Sequence, residues 1–501
     1  MQHLNIAIVV LYLAAMLAFG WWGKSRTRNT SDYLVAGRRL GPLLYTGTMA
    51  AVVLGGASTV GGVGLGYQYG ISGMWLVVAI GVGVLLLSLL FAPTVQRLRI
   101  FTVSQMLTLR YGTRATRVSG IVMLAYTLML SATSTGAYAT VFVVLFGWDR
   151  ATSIALGGAI VLVYSTVGGM WSITLADMAQ FIIKTVGIFF LMLPFALDSA
   201  GGFAGIAERA PAAFFSITGI GFQTIITYFV VYTLGLLIGQ DIWQRVFTAG
   251  TPGIARWGGT VAGIYCILYG VAGAVIGMAA SVILPEIAAK DDVYADVALK
   301  VLPVGLGGLV LAAAVAAMMS TASGALIAAA TVARADVVPT VSAWLGRSHR
   351  QGAETDDPDA DVAANRRWVL GLGLVVIALA IVVQDVVAAL TISYDILVGG
   401  LLVAILGGLM WRRGTGLGAG VSMAAGTLVT LGSMIVLEIQ SDTRYGGVYA
   451  NEPIYFGLLA SGFCYVVFSL LSKPTDPAVM AAWDARAAGS VSAELSVQDN
   501  R

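Results

Sequence analysis

Two adjacent hydroxyls lie where water does not reach. Ser320 and Thr321 fall in Ala316-Ala317-Met318-Met319-Ser320-Thr321-Ala322-Ser323-Gly324, inside an apolar run from about Pro303 to Ala330. In a membrane helix each hydroxyl can satisfy itself on a carbonyl one turn earlier. It can equally offer oxygen to a hard cation, since hydroxyl and carbonyl oxygens suit a small alkali ion that thiolates and imidazoles would not. Both possibilities stand on this stretch alone.

Ionisable residues at membrane depth are the second chemical signal, because charge there is expensive and usually functional. Asp177, Gln180 and Lys184 follow at spacings of three and seven, which puts them on one helical face. Asp177 is either an ion-pathway acid or an interfacial charge. Lys184 lies on the order of 10 Å deeper at 1.5 Å per residue. It either pairs with an acid on a neighbouring helix or receives a substrate carboxylate. Asp395, after Tyr394, is placed near the outer mouth as a gate residue or a surface charge.

The elements that carry these residues are membrane spans. The chain has 501 residues, 58% hydrophobic and 11% charged, with mean hydropathy +0.88. Soluble domains carry roughly 25% charged residues. Thirteen apolar runs are expected as spans: 4–22, 43–67, 72–95, 118–144, 151–169, 175–196, 221–240, 257–285, 303–331, 368–389, 390–411, 417–438 and 453–472. Each can cross a ~30 Å hydrocarbon core. One set of loops holds 19 cations, from Lys24 through Arg245 and Arg256 to Arg413, and the other holds five. Cations mark the cytoplasmic side, so the N-terminus is expected outside and the C-terminus inside. The run 6–22 reads as a retained span. The segment 335–365, with its acidic run, and the tail after Lys473 read as mobile cytoplasmic pieces.

Two spans are interrupted. Gly55-Gly56 and Gly61-Gly62 stand six residues apart in the second span, and Gly235 and Gly239 interrupt the seventh. Glycine at this density is costly in a helix interior. Paired interrupted spans in corresponding positions point to a transporter site between inverted repeats, with close helix packing as the plainer alternative. A channel would show a repeated filter signature. An enzyme would show a nucleophile, metal cluster or acid–base pair, yet His3 and His349 lie outside the spans, and Cys266 and Cys464 form no metal motif. No basic stripe suggests nucleic acid.

Several stretches together resemble the sodium:solute symporter family, whose members carry sugars, proline, sialic acid, choline and monocarboxylates. They are Asn29-Thr30-Ser31-Asp32-Tyr33-Leu34-Val35-Ala36-Gly37-Arg38-Arg39-Leu40-Gly41-Pro42, then Gly168-Gly169-Met170-Trp171 leading to Asp177 and Gln180, then Gly239-Gln240 with Gln244-Arg245-Val246-Phe247, and Met319-Ser320-Thr321-Ala322-Ser323. The resemblance implies an all-α LeuT-type bundle. A leading span and loop (1–42) would precede a ten-span core (43–411, with inverted repeats at about 43–196 and 221–411). Two trailing spans (412–472) and a tail (473–501) would follow.

The resemblance also implies a sodium site, with carbonyls of Ala51, Leu54 and Ala317 and hydroxyls of Ser320 and Thr321 as ligands. Asp177 would support ion binding. The solute would sit at the first break, so Val53, Gly55, Gly56, Ser58, Thr59, Lys184 and Gln240 are the expected substrate-binding residues. Proline carriers of the family have an acid where this chain has Val53, and the polar first-helix pattern of the sugar carriers is absent. Lys184 favours a small monocarboxylate. Trp243, Tyr228 and Tyr232 keep an amino acid or choline-like amine open through cation–π contact. Proton coupling through Asp177 or Lys184 is the other alternative. The expected partners are sodium, a small organic solute and the bilayer, with no cofactor, nucleic acid or obligate protein partner.

Overall fold

The computed structural model describes residues 2–112, 117–287, 289–345, 358–383 and 385–489. Every named element among them is helical, as a lipid-embedded chain requires when no water satisfies its backbone. Ten helices are long and apolar enough to cross a membrane, and the bent pair Phe222–Leu236 and Gln240–Thr248 makes eleven.

Two of the ten exceed a single crossing. Arg150–Ser199 runs 50 residues, on the order of 75 Å of helix against a core of about 30 Å. It breaks at Gly169, whose φ of 58° and ψ of −148° belong to a region essentially open to glycine alone. Both halves then run along the N-terminal helix: a Cβ on Gly20 would touch Tyr164, and Gln180 donates to Tyr12 at 2.9 Å. Ala57–Arg97, at 41 residues, turns likewise at Gly70. With these divisions, and with Pro42–Val53 as the first half of a broken span, the described helices divide into thirteen candidate crossings, the number expected from the sequence. An odd number leaves the two termini on opposite faces.

Seven helices build or brace the interior around the first break. They are α1 (Gln2–Arg26), α2 (Pro42–Val53), α3 (Gly62–Tyr69), α4 (Arg150–Thr185, broken at Gly169), α5 (Gln240–Thr248), α6 (Leu306–Val332) and α7 (Val386–Met410). Helix α6 is the centre of the bundle. Its small residues, such as Ala312 to Ala314 and Gly324, let neighbours approach closely, and the whole helix is buried except at its first turn.

Three expectations change. The tail is not featureless, because Pro477–Ala488 is a helix that buries Trp483 and holds Asp484 2.8 Å from Arg412. The 335–365 segment is helical at both flanks, with Val338–Trp344 before and Pro358–Val382 after it. Residues 346–357, which carry most of the acidic run, lie outside the described residues, as do 490–501. Arg245, counted among the loop cations, is 1% exposed inside the bundle.

The break at Gly169 gives a direct stability test. Gly169→Ala forces a Cβ to within 2.6 Å of the Tyr33 ring and an unfavourable backbone region. It should cost about 1–3 kcal/mol, read as a fall in the thermal midpoint in detergent. Gly371→Ala, in a helix with nothing within 4 Å of the new Cβ, should be neutral or stabilising. Equal effects at the two sites would contradict the turn.

Candidate ion and solute site

A helix leaves its last four carbonyls without backbone donors. For α2 these are Ala50, Ala51, Val52 and Val53, and the helix stops in mid-bundle because Leu54 leaves helical geometry (φ −92°, ψ 73°). Side chains from other segments supply the donors. Lys184 on α4 donates to the Ala50 and Ala51 carbonyls at 3.1 Å each. Thr321 on α6 donates to Val52 at 2.5 Å. Ser58 gives a long 3.5 Å contact to Val53. The chain resumes through Ala57–Gly61 into α3.

The glycines at the break are required by contact. A Cβ on Gly55 would lie 2.5 Å from the Thr321 hydroxyl, and one on Gly56 would lie 2.2 Å from Ala137 Cβ. The bundle therefore closes onto bare backbone here.

Beside the break, Asp177 is fully buried. Its carboxylate accepts from Ser320 at 2.6 Å, from Arg245 at 3.0 Å and from Thr48. It ties α2, α4, α5 and α6 together, which settles against an interfacial charge. Neither Ser320 nor Thr321 bonds back into its own helix. Each gives its hydrogen away, to Asp177 and to Val52, and so keeps its oxygen lone pairs free. Hydroxyls in that state suit a cation.

A cavity opens on the other side of the break. Val52, Val53, Gly55, Gly56 and Ser58 line it with Thr321, as do Thr133 and Ser134 from the helix Arg117–Phe146, Asp241 from α5 and Tyr394 from α7. Asp241 is 2% exposed and accepts 2.7 Å from the Tyr126 hydroxyl. It stands in the first turn of α5, where the helix dipole favours negative charge.

Three expected substrate residues are elsewhere. Lys184 faces the α2 carbonyls. Thr59 bonds to the Tyr269 hydroxyl at 2.9 Å. Gln240 braces the backbone at Val103 (2.8 Å) and Phe101 (2.9 Å). None of them lines the cavity. Trp243 is fully buried with its indole donating to Leu237 at 2.8 Å, so it is structural. Asp241, which the cavity does include, adjoins Gln240 in sequence, and its polar type beside an interrupted span is the signal that would have found it.

A tyrosine ladder leads away from this cavity. Tyr126 and Tyr232 both contact Tyr394, with centroids 5.6 and 5.4 Å apart, and Tyr228 meets Tyr232 at 5.5 Å. Tyr228 and Tyr232 line a second cavity with Asp395, which is 2% exposed and so not a surface charge. Near its rim, Asp385 accepts from Tyr449 at 2.7 Å and lies 3.4 Å from Lys290.

The chain is similar to known proteins along nearly its whole length. A sodium/proline symporter of Haemophilus influenzae is 25% identical over 527 aligned positions, spanning 96% of this chain and 97% of the relative. One of Staphylococcus aureus is 24% identical, spanning 93% of each chain. A Na+-coupled sialic acid symporter superposes with a TM-score of 0.76 at 17% identity, covering 94% of this chain and 99% of its own. Mhp1, a nucleobase-cation-symport-1 family transporter (TM-score 0.57, 15% identity, covering 91% and 99%), and MhsT, solved with L-phenylalanine (0.53, 13%, covering 86% and 98%), share the fold. These relatives are transporters with the LeuT fold, not enzymes. The family model matches residues 33–426, most of the chain, and the chain therefore belongs to the sodium:solute symporter family as a multi-pass membrane transporter.

Proposed function

We propose that this protein couples sodium entry to symport of a small solute bearing a positively charged nitrogen, an amino acid or a choline-like amine. The observation that carries the solute class is the Asp241 carboxylate lining the cavity at the Gly55-Gly56 break, with Tyr394 beside it and no Lys or Arg among the lining residues. A buried carboxylate demands a cationic partner, and aromatic faces add to it through cation–π contact. The small-monocarboxylate alternative depended on Lys184 facing the solute, and the ammonium lies on backbone carbonyls instead. The amino-acid substrate named for the Haemophilus and Staphylococcus relatives agrees with this class, although this chain carries its acid on α5 rather than at Val53.

Sodium would sit between α2 and α6, held by the carbonyls of Ala51, Leu54 and Ala317 and the hydroxyls of Ser320 and Thr321. Support comes from the free lone pairs on both hydroxyls and from the negative end of the α2 dipole at that point. Asp177 fixes the Ser320 hydroxyl and adds charge to the site. Sodium joining α2 to α6 would firm the floor of the cavity, because Thr321 belongs to both. Each ligand then raises the other's affinity, as coupling requires. The membrane potential supplies about 2.3 kcal/mol per charge per 100 mV.

Reconstituted vesicles test both parts. Labelled proline or choline should enter under an inward sodium gradient, and Ser320→Ala with Thr321→Ala should abolish the sodium dependence. Uptake driven equally well by potassium would refute the ion assignment.

Asp241→Asn should raise the half-saturating amine or amino-acid concentration by roughly tenfold to a hundredfold, the worth of a buried charged hydrogen bond. Efficient uptake of pyruvate that Asp241→Asn leaves unchanged would refute the solute class.

A further inference from the structure

Lys184 is a buried amine whose hydrogen-bond partners are uncharged. Its side chain is fully buried, and its hydrogen bonds among the described residues go to two carbonyls, Ala50 and Ala51, at 3.1 Å each. Asp177, two turns earlier on α4, has its oxygens taken by Thr48, Ser320 and Arg245. An ammonium in the membrane interior without a carboxylate partner is costly. What holds it is the end of α2, where unpaired carbonyls and the negative end of a helix dipole converge.

That is the chemistry that holds an alkali ion. Ala51 is also one of the carbonyls assigned to sodium in the proposed symport, and the inference rests on that assignment. Sodium and an ammonium carry the same charge, and both would use the Ala51 oxygen. Two unit charges sharing one carbonyl oxygen repel strongly away from bulk water, so the two cannot both occupy it.

We propose that the Lys184 ammonium is a tethered stand-in for the transported ion. It satisfies the Ala50–Ala51 end of the broken helix while the carrier is empty, and sodium binds by displacing it. The Ala51 carbonyl is thus never bare, whichever cation is present. The tether also weakens sodium binding, because the ion must compete with a cation attached to the same protein. A low sodium affinity suits release on the side where sodium is scarce.

The test measures sodium binding apart from transport. Thermal midpoints of the purified full-length protein are recorded against sodium chloride, with potassium chloride holding ionic strength constant, at one fixed pH. Lys184→Met and Lys184→Gln remove the charge and keep an unbranched side chain. Half-maximal stabilisation should need about tenfold less sodium in both variants than in the wild type. An unchanged sodium requirement in a folded variant would overturn the proposal and leave Lys184 a structural donor.

Should neither variant fold, the wild type still answers. The protein has five lysines, Lys24, Lys184, Lys290, Lys300 and Lys473. The Lys184 Nζ resonance of protein labelled with nitrogen-15 lysine should shift on adding sodium, and an unmoved resonance at saturating sodium would overturn displacement.

The two proposals fail differently. Sodium-driven uptake in the wild type with no change of sodium affinity in the variants sinks the stand-in alone. Sodium-independent uptake in the wild type, with the sodium needed for half-maximal stabilisation lowered in both Lys184 variants, upholds the stand-in and sinks sodium coupling.

Discussion

Four carbonyl oxygens with no backbone donors decide how this bundle is arranged. Helix α2 ends at Val53, in the interior, and its last four carbonyls have no helical partners. In water such groups are solvated at little cost, but inside a membrane each unsatisfied one costs several kcal/mol. The partners come from distant parts of the chain: Lys184 from α4, Thr321 from α6 and Ser58 from beyond the break. Satisfying one helix end therefore fixes how three segments meet. It also concentrates oxygen lone pairs and negative dipole at one point, which is what a small cation needs.

The charges nearby follow from the same constraint. Asp177 gathers Thr48, Ser320 and Arg245, and so positions the Ser320 hydroxyl with its lone pairs free. Removing any one of these partners leaves a buried charge or hydroxyl uncompensated. On the far side of Gly55-Gly56 the cavity has a carboxylate, Asp241, and one tyrosine, Tyr394. In the proposed symport, backbone oxygens on one side and a carboxylate with Tyr394 on the other would make two cation sites that share Thr321. Anything that draws α6 toward α2 acts on both.

Much of this was legible in the sequence, for physical reasons that differ by residue. Spans are visible because ~20 apolar residues in succession have little alternative fate. The breaks were visible because Gly55-Gly56 is costly in a helix interior. Ser320, Thr321 and Asp177 stand out because polar groups are rare at that depth. Direction was not legible. Lys184 and Gln240 are polar groups in the right spans, yet one faces the α2 carbonyls and the other braces Val103 and Phe101. Arg245 looked like a loop cation because α5 is short and follows a bend that only the fold defines. Asp241 escaped notice for the same reason, since a residue just past a break can point either way. The helix at 477–488 shows little apolar period, and Trp483 is its one buried side chain.

On the proposed exchange, the open end of α2 is always occupied by a cation, with sodium and the Lys184 ammonium taking turns. A pair of high-resolution structures of the wild type, one saturated with sodium and one prepared in potassium without sodium, tests this most directly. The account predicts sodium density within coordination distance of the Ala51, Ser320 and Thr321 oxygens in the first, with Lys184 Nζ withdrawn from Ala51. In the second it predicts the ammonium back on Ala50 and Ala51. Sodium density elsewhere, with Lys184 unmoved between the two structures, would contradict it.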